Sequence, residues 1–369
     1  MNPQRFLRLV SGAMAALGIS AAAIVALNLR GEDPLPSAET LKPTPALVAQ
    51  GEYLTRVGNC MACHTVQGGA PFAGGRGIET PFGVVYSSNL TPDKATGLGA
   101  WTSAEFWRAM HNGRGKDGRL LYPAFPYTSY THVTREDSDA IFAYLQSLPP
   151  VAQANKAHAL RFPYSTQAAL GVWRALFFTP ADAAQPAAPA PQALATAQVP
   201  DYQRGAYLVN GLGHCAACHT PRNSLGAEQQ GQALAGGLIP VQNWLAPALT
   251  DAGQAGVQRW PQADVVALLK TGVAPQASVI GPMAEVVFRS TQYLSDADAR
   301  AMAVYLQALP QHAATPAKQA VAPASVMERG AKVYEAQCAQ CHGAQGQGAK
   351  DEAGQPAFPP LAGNRAVVL

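Results

Sequence analysis

The sequence predicts a mainly α-helical chain of three small modules in tandem behind an apolar N-terminal helix. Three observations carry that prediction. One pattern, Cys-x-x-Cys-His, occurs three times, as Cys60-Met61-Ala62-Cys63-His64, Cys215-Ala216-Ala217-Cys218-His219 and Cys338-Ala339-Gln340-Cys341-His342. The first two copies are each followed downstream by a helical stretch with the same ending, Tyr144-Leu145-Gln146-Ser147-Leu148-Pro149 and Tyr305-Leu306-Gln307-Ala308-Leu309-Pro310, so the chain repeats internally. An uncharged run of 21 residues, Leu9 to Leu29, lies close to the N-terminus.

The pentapeptide has a specific chemical reading. Two thiols about one helical turn apart reach the two vinyl groups of one porphyrin edge, and the histidine that follows turns its imidazole to the iron. Cys60, Cys63, Cys215, Cys218, Cys338 and Cys341 are therefore the candidate haem attachment points, and His64, His219 and His342 the proximal ligands. The cofactor expected is three covalently bound haem c. A thioredoxin-like redox pair or half a zinc site would account for a single Cys-x-x-Cys, but not for a histidine in the same place three times. The motifs use all six cysteines of the chain. No thiol is left for a disulfide, so the haems are the covalent staples.

The 369 residues suit two to three domains. A net charge of +3 with 13% charged residues is far from the basic stripe of a nucleic-acid binder, and that class is set aside. Partners are then met by shape and apolar contact more than by a steering field.

The chain in order begins with residues 1–30, a signal peptide or membrane anchor. Arg5 and Arg8 precede the apolar run and Arg30 closes it. Its length favours a retained anchor, although Ala21-Ala22-Ala23 offers a small-residue cleavage site. Either way the modules are exported. Residues 31–45 read as a Pro-rich tether. The first module, 46–150, has a lead-in helix at Gln50-Gly51-Glu52-Tyr53-Leu54, a Gly/Pro loop from Gly68 to Gly83, a helix capped by Thr102, and a last helix opened by Thr134.

Residues 151–199 hold a connecting helix with Leu170, Trp173, Leu176 and Phe177, then an Ala/Pro/Gln linker. That helix is expected to pack between domains ahead of skimming a membrane, because it has few basic residues. The second module, 200–310, repeats the plan from Arg204-Gly205-Ala206-Tyr207-Leu208, through Trp260, to a last helix capped by Ser295. A linker, 311–325, leads to the third, 326–369, which opens with Arg329-Gly330-Ala331 but has 27 residues after His342 and no closing helix. The expectation is a truncated third module in a fragment of a longer chain.

Each iron has a sixth position, and its occupant decides between electron transfer and small-molecule chemistry. In the second module the candidate is Met283, in the loop Gly281-Pro282-Met283, 68 residues past Cys215. Met302 reads as core. In the first module Phe125 stands 65 residues past Cys60, where the methionine is expected, and phenylalanine cannot ligate iron. The alternatives are His111, on an edge position free to turn, Met110, which aligns with core, His132, or an open or water-filled site. His158, His214 and His312 read as surface or loop histidines. No methionine follows His342.

Several further segments carry a family resemblance. They are Ser88-Asn89-Leu90-Thr91-Pro92-Asp93, Thr96-Gly97-Leu98-Gly99-Ala100-Trp101, Leu121 to Tyr130 with its Tyr122-Pro123-Ala124-Phe125-Pro126-Tyr127 core, Gly281-Pro282-Met283-Ala284-Glu285-Val286-Val287 and Ser290-Thr291-Gln292-Tyr293-Leu294-Ser295. With the three haem motifs, the chain from Ala46 onward resembles the three-haem cytochrome c subunit of membrane-bound bacterial dehydrogenases, which serves alcohol, gluconate, sorbitol, fructose and aldehyde dehydrogenases.

The resemblance implies tandem class I cytochrome c domains. It also implies a respiratory-chain electron-transfer subunit on the periplasmic side of the bacterial inner membrane, non-catalytic itself within an oxidoreductase acting on CH–OH or aldehyde donors. Its partners would be a catalytic subunit of quinoprotein, flavin or molybdenum type, and ubiquinone or an oxidase as acceptor. Two departures stand out. Phe125 replaces the family's methionine, a version that resembles a branch serving aldehyde- or heteroaromatic-oxidising molybdenum enzymes, and the third domain lacks its methionine-bearing end.

Two other functions compete with the relay. One is a haem enzyme acting on peroxide or thiosulfate at an open first haem, motivated by Phe125; the other is a free-standing multihaem carrier. Nothing in the chain resembles a quinone-cofactor propeller, a Rossmann glycine fingerprint or a nucleophile triad.

Overall fold

The computed structural model describes residues 3–32, 41–182, 190–192, 194–311, 322–352, 356–358 and 360–362. The chain divides into two compact units, residues 1–55 with 60–185, and 56–59 with 186–369. The second unit thus contains both the second and the third module. His312 and most of the predicted tether lie outside the described residues.

The first unit opens with α1 (Pro3–Asn28), whose Val10–Asn28 stretch is long and apolar enough to cross a membrane. The first Cys-x-x-Cys-His module follows as α2 (Pro45–Val57), α3 (Cys60–His64), a hairpin of β1 (Gly77–Thr80) and β2 (Gly83–Tyr86), α4 (Ser103–Asn112), the short α5 (Tyr127–Tyr130) and α6 (Arg135–Ser147). The strand β3 (Ala159–Leu160) extends the hairpin antiparallel, and α7 (Gln167–Phe177) closes the unit.

The expected caps are present. Thr102 and Glu105 form a complete capping box on α4, and Thr134 Oγ1 accepts from Asp137 N at 3.2 Å on α6. Phe106, Met110, Ile141, Phe142 and Leu145 form the core between α4 and α6.

The helix α2 crosses α6 at Gly51. A Cβ on Gly51 would lie 1.9 Å from the Ala140 carbonyl oxygen and 2.8 Å from Tyr144 Cβ, so the two backbones touch where a side chain would be. The neighbouring Gln50 Nε2 donates to Asp137 Oδ1 at 2.9 Å.

The second unit repeats these contacts almost atom for atom. Its elements are α8 (Val199–Tyr207), a single π turn (Leu208–Leu212), α9 (Ala216–His219), the hairpin β4 (Gly237–Ile239) and β5 (Trp244–Ala246), α10 (Gln262–Thr271), the small hairpin β6 (Val273–Ala274) and β7 (Ala277–Ser278), α11 (Pro282–Arg289) and α12 (Asp296–Gln307). A Cβ on Gly205 would lie 2.0 Å from the Ala301 carbonyl oxygen and 2.8 Å from Tyr305 Cβ. Arg204 makes a two-bond contact with Asp298, 2.8 Å at each oxygen, where the first module has Gln50 and Asp137. Ser295 Oγ accepts from Asp298 N at 3.1 Å. The glutamine of the shared Tyr-Leu-Gln ending also repeats its role: Gln146 donates to Leu98 O at 2.8 Å, and Gln307 to Trp260 O at 2.6 Å.

The third module contributes α13 (Ala324–Gln337), α14 (Ala339–His342) and a bulged pair, β8 (Ala349–Lys350) with β9 (Pro356–Phe358). Gly330 aligns with Gly51 and Gly205, yet a Cβ there would meet nothing within 4 Å. Val326, Met327 and Val333 on α13 are exposed.

Among the histidines expected at the surface, His158 is half-buried and structural. Its Nδ1 accepts from Tyr86 N at 3.1 Å, and burial, then the Arg119 charge, hold its pKa below the ordinary value. The unfolded chain therefore takes up a proton at a higher pH than the folded one. The stability that His158 contributes falls as pH drops below the ordinary histidine value, and is constant above it. The thermal midpoint of the purified holoprotein is expected to be lower at about pH 5.5 than at about pH 7.5, with a smaller difference in His158→Asn, whose amide oxygen can take the Tyr86 N–H. An identical difference in the variant would remove His158 as the cause.

Candidate haem sites

Each Cys-x-x-Cys-His folds into a single helical turn: α3, α9 after Cys215, and α14 after Cys338. In the first two modules the residue just before the first cysteine has a positive φ, 52° at Asn59 and 38° at His214. This left-handed residue turns the chain sharply from the lead-in helix into the motif. It gives His214 a backbone duty, and its ring Nδ1 lies 3.0 Å from Leu212 O.

The motif histidines of the first two modules are held alike. His64 Nδ1 lies 2.7 Å from the Ser88 carbonyl, and His219 Nδ1 lies 2.8 Å from the Pro247 carbonyl. Burial lowers both pKa values, against the opposing effect of those carbonyls, so both rings are neutral. A neutral ring that donates its Nδ1 proton to a carbonyl keeps the Nε2 lone pair for a metal.

The segment after the motif repeats as well. Gly74 N donates to His64 O at 2.8 Å, Gly236 N to His219 O at 2.7 Å, and Gly348 N to His342 O at 2.8 Å. Thr65 and Thr220 hydroxyls each accept, at 3.0 Å, from the backbone N–H of Phe72 and Leu234, which have φ of 60° and 58°. In the third module the Phe358 ring stands edge-on to His342 at 6.0 Å.

The cysteines fit haem attachment better than the competing roles. Burial pushes the Cys60 and Cys215 thiols up to about 12, with Cys63 and Cys218 adding to the shift. A redox Cys-x-x-Cys depends on the opposite shift. Among the described residues no three His, Cys, Asp or Glu side chains gather as a cation site. Paired thiols one turn from a neutral imidazole fit a haem bound through two thioethers and one nitrogen.

The sixth-ligand candidates are placed as follows. Met283 is in the first turn of α11 rather than in a loop. Gly281, at φ 55°, supplies the turn, and Pro282 starts the helix with its fixed φ. The Trp244 ring packs on Gly281, and Met283, two residues on, is half-buried. Met302 is core, at 3% exposed.

In the first module Phe125 is half-buried, and its ring meets Tyr130 edge-on at 5.4 Å. Burial and the neighbouring Cys60 and Cys63 thiols push the Tyr130 hydroxyl pKa well up, which places the Phe125–Tyr130 pair beside the first haem motif. Met110 is buried at 4%, as its alignment with core implies. His111 is not on a free edge: it is 6% exposed and its ring stacks on Trp107 at 4.5 Å. The alignment with Lys270 gives an edge, but the Trp107 ring covers it. His132 is half-buried in the turn after α5.

Sequence reasoning misses the groups that hold each motif from outside. The Arg76 guanidinium donates to the Ala62 carbonyl, and Arg222 donates to the Ala217 carbonyl at 2.8 Å. One arginine is 12 residues past its proximal histidine and the other 3, so no common spacing signals them. The carbonyls of Ser88 and Pro247 leave no side-chain signature at all.

Fold and donor set together define a haem protein of the c type. The sequence profile of cytochrome c matches residues 48–149, 202–310 and 327–367, and the chain belongs to the cytochrome c family. It is 39% identical over 352 residues to the alcohol dehydrogenase (quinone) cytochrome c subunit of Gluconacetobacter polyoxogenes, covering 90% of this chain and 71% of that one. It is 41% identical over 312 residues to the gluconate 2-dehydrogenase cytochrome c subunit of Pantoea cypripedii, covering 80% and 69%. The fructose dehydrogenase cytochrome subunit of Gluconobacter japonicus is 37% identical over 355 residues, covering 89% of this chain and 70% of that protein.

Proposed function

We propose that the chain is the electron-transfer subunit of a membrane-associated dehydrogenase, carrying three covalent haem c groups, one per module. Cys60 and Cys63, Cys215 and Cys218, and Cys338 and Cys341 hold the porphyrins, with His64, His219 and His342 as proximal ligands and Met283 as the sixth ligand of the second haem. Electrons enter from a catalytic quinoprotein, flavin or molybdenum subunit and leave to ubiquinone or a terminal oxidase. The work is done on the periplasmic side of the bacterial inner membrane, with α1 retained as anchor. The haem supplies the redox change; the protein binds it, fixes its ligands and tunes its potential.

The observation that carries this reading is the repetition of one donor arrangement, a paired-thiol turn with a neutral histidine pinned by a backbone carbonyl. The relatives' names, cytochrome subunits of alcohol, gluconate and fructose dehydrogenases, support a dehydrogenase partner. The unbroken apolar α1 supports the anchor.

Detergent solubilisation and affinity purification from the native membrane test the proposal. A large dehydrogenase subunit is expected to travel with the chain and to reduce its haems when substrate is added. Recovery of the chain alone, or substrate turnover by the chain alone, would overturn it.

Phe125 in place of a ligating methionine favours a second role for the first haem, as a site open to small ligands. Cyanide titration of the oxidised protein decides this. Conversion of one high-spin haem in three to low spin supports an open site, and an all-low-spin spectrum that His111→Ala makes partly high-spin assigns His111 as ligand instead.

A further inference from the structure

The C-terminal end of α1 is built into the first unit. Asn28 Nδ2 donates to Gly171 O at 2.8 Å, and Arg174 Nε donates to Asn28 Oδ1 at 3.0 Å. Arg114 donates to Asn28 O at 3.0 Å and pairs with Glu32, while Asn112 Nδ2 donates to Gly31 O at 2.9 Å. Arg30 reaches Phe178 O at 3.2 Å. A Cβ on Gly171 would come within 4.0 Å of Ile24 and 3.9 Å of Asn28, so α7 lies against the last turns of the apolar helix. Whatever depth α1 takes in a bilayer, α7 sits at its edge.

The face that α7 turns away from the unit is apolar. Arg174 is its single charged residue and is buried, its guanidinium over the Tyr127 and Phe178 rings at 5.1 and 4.7 Å. Leu170 is buried with it. Ala168, Val172 and Leu176, four residues apart, form an exposed stripe, with Val172 at 43% and Leu176 at 62%. Trp173 and Phe177 flank that stripe, their rings 5.6 Å apart.

The segment leading to α7 exposes Phe162 at 83% and Tyr164 at 38%. Exposed arginines flank the patch: Arg30 just past the end of α1, Arg161 beside Phe162, and Arg119, paired with Asp117 at 3.7 Å, next to Leu120, whose backbone bonds Gln167 in the first turn of α7. Aromatic rings and arginines around an apolar stripe are the composition of a helix lying in a membrane interface.

We propose that α7 and the Phe162 segment form a second membrane contact, lying in the headgroup region of the bilayer that α1 crosses. This rests on the anchor reading of α1. One spanning helix leaves the module free to rotate about its axis; a stripe laid flat beside it fixes which side of the first module faces the lipid. The occupant is the bilayer because α7 packs on the last turns of α1, where that helix leaves the membrane, and its exposed stripe is flanked by arginines that suit phosphate headgroups.

The test is lipid photolabelling of the full-length holoprotein in vesicles of phosphatidylcholine carrying a diazirine on the acyl chain. After irradiation and trypsin digestion, adducts are expected in peptides 162–174 and 175–204 as well as 9–30, and not in peptide 136–156. The double variant Val172→Ser with Leu176→Ser is expected to cut the yield in 162–174 and 175–204 about tenfold, leaving 9–30 unchanged. Adducts confined to 9–30 would overturn the contact, whether the stripe is covered by another subunit or bathed in water. An intact mass lacking the N-terminal peptide would instead overturn the anchor, and labelling of the α7 peptides would still decide the contact.

Discussion

Replacing Met283 by alanine is expected to lower the reduction potential of the second haem by a few tenths of a volt while leaving the haem attached. Axial ligands set haem potentials over a range of about 0.8 V, and a thioether opposite histidine lies toward the high end because it stabilises the reduced iron. The side chain sits in the first turn of α11, fixed by Pro282 and by Gly281 under the Trp244 ring. Its loss would remove the proposed ligand without disturbing the core, which lies at Val287 on the same helix. Potentiometric titration should show one of the resolved haem components moving down. The thioether-to-iron charge-transfer band should vanish with it. Met283→His should restore a low-spin haem but not the potential. An unchanged titration in both variants would show that Met283 is not a ligand.

The largest stability effects are expected at two glycines. Alanine at Gly205 would place a Cβ 2.0 Å from the Ala301 carbonyl oxygen, and at Gly51 1.9 Å from that of Ala140. Neither neighbour is a flexible side-chain tip, so the helices must separate along the crossing. Overpacking by one methyl in a core that can adjust costs about 1–3 kcal/mol, and these backbone contacts put both variants at ~3 kcal/mol or more. Gly330→Ala is the internal control. Nothing lies within 4 Å of its Cβ position, so helix propensity decides, and alanine is the better former by ~1 kcal/mol. Calorimetry of the three holoproteins checks the ordering. Equal effects at Gly205 and Gly330 would mean that the crossing seen in the second module is not what fixes its lead-in helix.

Those three glycines also show how far the sequence can be read. The matching Arg-Gly-Ala openings and Tyr-Leu-Gln endings mark a repeat, and the threonine and serine caps fall where their side-chain chemistry requires. What the repeat does not reveal is that Gly51 and Gly205 each lie beneath a closing helix, with a backbone carbonyl in the place of a side chain. That contact joins residues far apart in the chain and leaves no local pattern. Met283 is legible as a candidate ligand but reads as loop, since Gly-Pro marks a break equally well as a helix start. His111 reads as free because its alignment partner is a lysine; the Trp107 ring that covers it is one turn away on the same helix, a signal the sequence does contain. The connecting helix reads as packed between domains ahead of skimming a membrane. Its apolar stripe is visible, but a hydrophobic period shows only that a helix has a face, not what that face meets. The carbonyls that pin His64 and His219 are backbone groups, and no sequence reading reaches them.

The central claim is that the Cys-x-x-Cys-His turn is used three times to hold a haem. Intact-mass spectrometry of the purified holoprotein under denaturing conditions tests it most directly, because thioether-bound haem survives unfolding. The expected mass is the polypeptide plus three haems, falling to two when Cys338 and Cys341 are both replaced by alanine. A mass with fewer than three haems on the unsubstituted chain, or no change on that substitution, would contradict it.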